Sequence, residues 1–211
     1  MYLPSHFEEN RPEVLIQYIE KTAFGSLMTN VDGEIEANHL PFLYDSNEHM
    51  MLAHISKENP LYTLLKQPRD VLIVFHVDHA YVSPNWYAGK LEHHKTVPTW
   101  NYVVIHVKGV AHIIEDQRKL RGILAKLTRQ HESNQPVPWK MTDAPADFIA
   151  EEMSQIVGIQ IEIKHMVGKF KLSQNRSSQD AKNVAEAFLS QGRTELNALM
   201  QSQINTDAQS N

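Results

Sequence analysis

Residues 80–102 carry the densest group of side chains that could bind a flat ligand. They include Trp86, Tyr87 and Trp100, two prolines, and a polar middle with two adjacent histidines. Loops commonly carry binding groups, and aromatic rings supply a large contact area at little entropic cost. The segment is therefore interpreted as a lid over a flat ligand. Under the alternative, Trp86 and Trp100 are core residues at the two ends of a hairpin, because large aromatic side chains are usually buried.

Ser56 and Lys57 lie between a predicted strand, residues 50–55, and a predicted helix. Asn59 is a good N-cap and Pro60 a good first helical residue, so the helix is expected to begin near Pro60. Helix N-termini offer free N–H groups and a partial positive charge. A hydroxyl and an ammonium beside them predict a phosphate site. The alternative is an ordinary helix cap with a solvated lysine.

Asn38 and His39 place polar groups within a predicted strand, just before Pro41. They could hydrogen-bond the polar edge of a ring, or they could mark an exposed strand face or a bulge. No GxGxxG, Walker, GxSxG or HExxH motif occurs, and the chain contains no cysteine. These absences exclude the common nucleotide-binding and hydrolase motifs and argue against a dedicated metal site. The remaining hypothesis is that the chain binds a cofactor with a flat ring and an anionic tail.

Composition favours a protein with a substantial core and no strongly basic surface. The 211 residues are 42% hydrophobic, and the formal net charge is −5. Nucleic-acid-binding surfaces normally carry clustered basic residues, which this sequence lacks. The first residues do not form a secretion signal, and no apolar run approaches the roughly 20 residues that span a bilayer. A cytoplasmic protein without membrane segments is therefore expected.

The order of the predicted elements favours a mainly β, α+β fold, an antiparallel barrel with peripheral helices. Strands linked by short turns dominate the first two thirds, and Gly33 is expected to form a hairpin turn. Leu196, Leu199, Met200 and Ile204 suggest a weak amphipathic helix near the end of the chain, with residues 206–211 disordered. The predicted strands are 24–29, 34–44, 50–55, 71–76, 99–107, 109–114 and 159–167, and the predicted helices are 10–21, one from residue 60, 115–130, 145–155 and 180–190.

Five segments together resemble the PaiB family, described as FMN-binding negative transcriptional regulators of bacteria. They are EANHLPF (36–42), HISKENP (54–60), YVSPNWY (81–87), VPTWNY (97–102) and FKLSQNR (170–176). The resemblance implies a split β-barrel of the FMN-binding type, usually a homodimer with flavin at the subunit interface. It is similar in this respect to pyridoxamine-phosphate oxidases. The barrel domain is predicted to cover residues 1–176, followed by a C-terminal helix and a polar, partly disordered tail, residues 177–211.

The resemblance also implies where the cofactor binds. Ser56 and Lys57 match the position that holds the FMN phosphate in the oxidases, with one basic residue where the oxidases often have two. No residue is predicted to be catalytic; any enzyme activity would be that of an FMN-dependent oxidoreductase. The predicted cofactor-binding residues are Asn38, His39, His54, Ser56, Lys57, Trp86, Tyr87, Thr99, Trp100, Asn101, Lys171, Gln174 and Asn175.

Two other functions remain open. Related barrels bind or degrade haem, and the twelve histidines supply candidate axial ligands, with His93, His94 and His165 the first candidates. The other function is a DNA-binding repressor without a cofactor, whose affinity would fall steeply with salt. Regulation through a protein partner is also compatible with the sequence.

Overall fold

A computed structural model of the chain describes residues 1–90 and 94–209, the last four by their backbone alone. Its strands belong to one eight-stranded sheet. They are β1 (Glu8–Glu9), β2 (Phe24–Val31), β3 (Glu34–Pro41), β4 (Leu43–Asp45), β5 (Met50–Ser56), β6 (Arg69–Val82), β7 (Thr99–Ile114) and β8 (Ile156–Lys171). The α-helices whose two ends lie within the described residues are α1 (Pro12–Thr22), α2 (Pro60–Leu64), α3 (Gln117–Glu132), α4 (Ala146–Ser154), α5 (Ser178–Ser190) and α6 (Thr194–Gln209). Short 3-10 turns occupy Ser5–Phe7, Pro84–Trp86 and Met141–Asp143.

The sheet runs in the order β3-β2-β6-β7-β8-β5-β4, and β1 pairs with β8 beside this path. The pairs β1–β8, β2–β3, β2–β6, β4–β5 and β5–β8 are antiparallel. The β2–β3 hairpin turns at Asp32 and Gly33, whose φ angles are 53° and 94°. Such left-handed angles suit glycine, so the predicted turn at Gly33 is confirmed.

The residues cluster into two compact units. The first unit comprises Met1–Leu15, His76–Ile105 and Val167–Asn211, and the second comprises Ile16–Phe75 and His106–Met166. The predicted boundary at residue 176 stays a prediction. None of the helices within the described residues is long and apolar enough to cross a bilayer.

The core of the second unit forms between strands and helix α3. Asp116 caps α3 by accepting a hydrogen bond from the Lys119 N–H at 2.7 Å. Leu120, Ile123 and Leu127 then recur at helical spacing and are buried, as an amphipathic helix requires. Ile123 and Leu127 pack with Leu52 of β5 and Ile114 of β7, while Leu120 packs with Ile149 and Met153 of α4.

The core of the first unit includes its two C-terminal helices. Val184 and Phe188 of α5 are completely buried, as are Leu196 and Met200 of α6. Asn197 of α6 donates a side-chain hydrogen bond to the Ala185 carbonyl at 2.8 Å. The helix predicted from Leu196, Leu199, Met200 and Ile204 is therefore confirmed, but it extends to Gln209, into a segment that was predicted to be disordered.

Strand β7 includes Gly109, which lies close to strand β8. A Cβ atom at this position would lie 2.3 Å from the Glu162 carbonyl oxygen and 2.7 Å from a side-chain carbon of Ile161. Glycine is therefore required here by a close approach of two backbones.

Candidate cofactor site

The residues predicted to bind a cofactor fall into both units. Five lie in the second unit: Asn38, His39, His54, Ser56 and Lys57. Eight lie in the first unit: Trp86, Tyr87, Thr99, Trp100, Asn101, Lys171, Gln174 and Asn175.

Ser56 and Lys57 follow the end of β5 and precede the short helix α2. Asn59 caps α2, accepting a hydrogen bond from the Leu61 N–H at 2.9 Å, as predicted. The backbone N–H groups between strand and helix all have protein acceptors: Lys57 donates to the Gln155 carbonyl, Glu58 to the Ser56 hydroxyl, and Asn59 to the Ser56 carbonyl. A ligand at this place would therefore be held by side chains rather than by free backbone donors.

The Lys57 ammonium has a structural partner of its own. Its Nζ atom donates to the Ser154 carbonyl at 2.6 Å, at the end of α4. A cation beside a helix C-terminus is favourable because the carbonyl dipoles there carry partial negative charge. An ammonium has three N–H groups, so two remain for a ligand, and both Ser56 and Lys57 are exposed.

His54 is half-buried on β5, two residues before Ser56, and its buried Nδ1 atom has no hydrogen-bond partner among the residues that the structure describes. Burial lowers the pKa of His54 because the charged imidazolium loses its hydration. The imidazole therefore favours its neutral form. Buried polar atoms normally have partners, so an unpartnered nitrogen beside an exposed serine and lysine is a feature expected of a ligand site.

Asn38 is half-buried, and its side-chain carbonyl accepts a hydrogen bond from the Asn59 amide at 2.8 Å. Both residues line a cleft of about 350 Å³ beside α2. His39 is exposed, and its Nδ1 atom lies 2.9 Å from the Ser26 hydroxyl. His39 therefore lies on an exposed strand face and Asn38 supports the helix cap, while their part in cofactor binding stays a prediction.

The three aromatic residues of the predicted lid have different surroundings within the first unit. Trp86 is half-buried and packs edge-to-face against Phe188, with ring centroids 5.6 Å apart. Tyr87 is buried, and its hydroxyl has no hydrogen-bond partner within the described part of the chain. Trp100 is 51% exposed, so it is not the core residue that the alternative interpretation required.

The other predicted residues of the first unit are engaged in internal hydrogen bonds, apart from the exposed Asn175. Lys171 donates to the Thr99 hydroxyl at 2.6 Å and to the Trp100 carbonyl. Asn101 is completely buried; its amide exchanges hydrogen bonds with the Ser173 hydroxyl at 3.0 and 3.2 Å, and contacts the Met200 sulfur at 3.4 Å. The side-chain carbonyl of Gln174 accepts a hydrogen bond from the Leu172 N–H, and its side-chain NH₂ group donates to the Phe170 carbonyl. The amides of Asn101 and Gln174 thus stabilise the end of β8.

Two cations near Lys171 were missed by the sequence analysis. Lys169 precedes it by two residues on β8, and Arg176 follows, with its guanidinium 4.8 Å from the centre of the Tyr87 ring. The alternation of a strand places Lys169 and Lys171 on one face, and this spacing was the available signal. Of the haem candidates, His94 and His165 are exposed, and His93 lies outside the described residues.

Comparison with known proteins decides the family. A family model described as "Putative FMN-binding domain" matches residues 1–165. The chain belongs to this FMN-binding family. It is also 30% identical over 190 residues to "Protease synthase and sporulation protein PAI 2" of Bacillus subtilis, a match that covers 88% of each chain. The resemblance to the PaiB family is thereby confirmed.

Solved structures show the same fold at low sequence identity. The FAD and haem binding protein of Mycobacterium smegmatis aligns with a TM-score of 0.60 and 14% identity, over 78% of this chain and 73% of that one. The flavocytochrome Anf3 of Azotobacter vinelandii aligns with a TM-score of 0.54 and 14% identity, over 78% and 69%. The predicted fold class, an antiparallel split barrel with helices, is confirmed.

Proposed function

We propose that this member of the FMN-binding family binds FMN, and that its second unit holds the phosphate. The observation that carries the proposal is the set of donors at the end of β5. The exposed Ser56 hydroxyl and Lys57 ammonium stand two and three residues after His54, whose Nδ1 atom has no hydrogen-bond partner among residues 1–90 and 94–205. Membership of the family supports the choice of FMN.

The chemistry of these donors fits a phosphate. Its oxygens accept hydrogen bonds, and bonds from a charged donor are shorter and stronger than neutral ones. The Ser56 hydroxyl accepts from Glu58, so its own hydrogen remains free to donate outward. Lys57 can keep its bond to Ser154 and still donate two more. Ser56 and Lys57 would thus bind the phosphate directly, and Asn59, by capping α2, would hold the segment in place.

A bound flavin supplies hydride and single-electron transfer, and the protein contributes binding, orientation and electrostatics. The part assigned to His54 is a neutral hydrogen-bonding group. Its lowered pKa keeps the imidazole uncharged near neutral pH, so His54 can orient a ligand without adding charge. Any reaction would be that of an FMN-dependent oxidoreductase.

The test compares FMN with riboflavin, which has the same ring system but no phosphate. Flavin fluorescence quenching measures both affinities for wild type, Lys57→Ala and Lys66→Ala. Lys66 lies just beyond α2 over the Tyr62 ring, so it is a matched control. Loss of a charged hydrogen bond costs about 1.5–3 kcal/mol, so Lys57→Ala should weaken FMN binding roughly 10- to 100-fold and leave riboflavin unchanged. Equal losses for both flavins would mean that Lys57 does not bind the phosphate.

The type of cofactor is tested in the same experiment. FAD carries a further nucleotide on the phosphate that is terminal in FMN. If Ser56 and Lys57 bind a terminal phosphate, FMN should bind more tightly than FAD. Haem is a second candidate, because two proteins with this fold are named for haem or flavocytochrome content. A saturable shift of the haem Soret band on binding to the protein, lost in His94→Ala or His165→Ala, would support the haem hypothesis over FMN.

The proposal extends to a cytoplasmic homodimer with flavin at its interface and a regulatory role, as the PaiB family implies. Light scattering on the FMN-loaded protein measures the mass directly, and a monomer would contradict the dimer. Direct DNA binding predicts a mobility shift that weakens steeply with salt. A shift confined to very low salt would favour regulation through a protein partner, consistent with the net charge of −5.

A further inference from the structure

A cavity of about 500 Å³ in the second unit lies between the turn that joins β4 to β5 and the C-terminal part of α3. The turn contributes Asp45, Ser46 and Asn47 to its lining, and the helix contributes Arg129 and Gln130 among others. None of these residues belongs to the predicted cofactor site. Small-molecule sites commonly have volumes of about 300–1,000 Å³, so the cavity is large enough for such a ligand.

Asp45 holds the turn side of the cavity in place. Its Oδ1 atom accepts hydrogen bonds from the Asn47 N–H at 3.0 Å and the Glu48 N–H at 3.4 Å. Its Oδ2 atom accepts a hydrogen bond from the Lys126 ammonium of α3 at 2.8 Å. The bond from Lys126 lowers the pKa of Asp45, so this carboxylate stays charged at neutral pH. The ion pair therefore ties the turn to the helix and preorganises the cavity.

The helix side of the cavity presents polar side chains at helical spacing. Arg129, Gln130 and Ser133 lie three, four and seven positions after Lys126, so the four share one face. The Gln130 side-chain NH₂ group donates to the Glu20 carbonyl at 3.0 Å, and the Ser133 hydroxyl donates to the Gln130 backbone carbonyl at 2.9 Å. Both bonds use donors, so the side-chain oxygens of these two residues remain available as acceptors.

Arg129 supplies a positive charge that the cavity does not balance. Asp45 is the one carboxylate in the lining, and it is paired with Lys126. Arg129 is exposed and forms no ion pair with any residue that the structure describes. Two cations and one carboxylate give the lining a net charge of plus one. A guanidinium stays charged and presents its N–H groups in a planar fork that matches a carboxylate.

The turn adds groups that suit hydroxyls. Ser46 and Asn47 are exposed and line the cavity, and neither side chain has a hydrogen-bond partner within the described part of the chain. A hydroxyl and an amide can each donate and accept, as the hydroxyl groups of a ligand require. Leu43, which also lines the cavity, packs against the buried core and offers an apolar surface for a carbon chain.

We propose that this cavity binds a small polyhydroxylated carboxylate, with its carboxylate on Arg129 and its hydroxyl groups on Ser46 and Asn47. Further hydroxyl groups donate to the side-chain oxygens of Gln130 and Ser133. The single net positive charge of the lining fits a carboxylate, which carries one negative charge, better than a phosphate, which carries up to two. This site goes beyond the proposed function and does not depend on a bound flavin.

The test uses three molecules with the same six-carbon chain. Gluconate has the carboxylate and the hydroxyls, sorbitol has hydroxyls alone, and hexanoate has the carboxylate alone. NMR follows the arginine Nε–H signals during titration, and Arg129→Gln identifies the signal of Arg129. Gluconate should shift this signal with a Kd in the millimolar range, ordinary for so small a molecule. Sorbitol and hexanoate should each bind about tenfold more weakly, since each lacks one of the two required features.

Variants on α3 test the role of Arg129. Arg129→Gln should weaken gluconate binding roughly 10- to 100-fold and leave sorbitol binding unchanged, with the backbone amide signals of Ser46 and Asn47 as the readout. Arg121→Gln is the matched control, because Arg121 is exposed on the same helix but does not line the cavity, and it should bind gluconate as wild type does.

Three outcomes would overturn the inference, and none of them needs a variant beyond the one that assigns the signal. Equal binding of gluconate and sorbitol would overturn the role of the charge. Tighter binding of sorbitol 6-phosphate than of gluconate would overturn the choice of a carboxylate. The absence of any gluconate-dependent shift at Arg129 would overturn the site as a whole.

Each titration is performed on both FMN-free and FMN-loaded protein, because FMN also carries a hydroxylated chain and an anionic group. Equal gluconate affinities are expected for a site that is separate from the flavin. Displacement of gluconate by FMN would overturn the separate site. A protein that binds gluconate but no flavin would contradict only the proposed function, so the two failures are distinguishable.

Discussion

The side-chain carbonyl of Asn38 accepts a hydrogen bond from the side-chain amide of Asn59 at 2.8 Å. Asn59 in turn uses its own carbonyl to cap α2. A residue of β3 therefore orients the cap of the helix that follows Ser56 and Lys57. The polar residue at position 38 has a structural cause, whether or not it also contacts a ligand.

This relationship predicts energetic coupling between the two asparagines. Asn38→Ala should cost about 1 kcal/mol of unfolding free energy, the usual net value of one hydrogen bond. Asn59→Ala should cost more, about 1–2 kcal/mol, because the helix cap is lost as well. The double variant should lose roughly 0.5–1 kcal/mol less than the sum. Urea denaturation measures all three; strict additivity, or an equal loss in the exposed control His39→Ala, would contradict the coupling.

His54 predicts a pH dependence of stability. The unfolded histidine takes up a proton near pH 6.5, whereas burial lowers the pKa of the folded one. The unfolded state thus binds more protons between the two pKa values, and stability should fall as the pH drops below about 6.5, by at most about 1.4 kcal/mol per pH unit. The fall ends below the folded pKa. His54→Gln should flatten this slope, while the exposed His165→Gln should retain it.

Denaturation at pH 7.5, 6.5 and 5.5 is sufficient to measure the slope. If FMN binding supplies a partner for the His54 Nδ1 atom, flavin should also change the slope in wild type but not in His54→Gln. An identical slope in all three proteins, with and without FMN, would mean that His54 is not a buried neutral group.

Much of the second unit was predictable because its signals are local. The glycine in the β2–β3 turn and the Asn59–Pro60 start of α2 depend on residues a few positions apart. The bond between Lys57 and Ser154 joins residues 97 positions apart, so no local pattern could indicate it. The same holds for Gly109, whose partner backbone at Glu162 is brought close only by the folded sheet.

The first unit was harder to predict because polar residues occur within its strands, where the sequence pattern gives no clear strand signal. Strand β6 was predicted as residues 71–76 but extends over Arg69–Val82. The strand continues past His76 through Asp78 and His79, two adjacent polar residues that gave no strand signal, because this half of the strand is partly exposed to solvent. The predicted lid likewise combined Trp86, which packs on Phe188, with Trp100, which is exposed. Each of these tryptophans lies two residues after a proline, Pro84 or Pro98, so the local sequence does not indicate which indole is packed and which is exposed.

Glycine-to-alanine substitutions at two positions should have opposite effects. Gly109→Ala places a methyl group 2.3 Å from a backbone oxygen, and overpacking costs typically about 1–3 kcal/mol or more when backbone must move. Gly122 lies within α3 with open space around its Cβ position. Gly122→Ala should therefore stabilise the protein by about 0.5–1 kcal/mol. Thermal denaturation should show a lower melting temperature for Gly109→Ala and a higher one for Gly122→Ala. An unchanged melting temperature for Gly109→Ala would contradict the close approach of β7 and β8.

Leucine-to-alanine substitutions in the two C-terminal helices test whether residues 177–211 form a separate, partly disordered segment, as predicted from the sequence. Leu196 of α6 is fully buried, so Leu196→Ala should cost about 2–5 kcal/mol of unfolding free energy. Leu189 of α5 is 54% exposed, and Leu189→Ala should change the free energy of unfolding by no more than about 0.5 kcal/mol. Urea denaturation, monitored by tryptophan fluorescence, measures both. A small effect at both positions would support the separate segment, whereas the expected difference would mean that α6 is an integral part of the first unit.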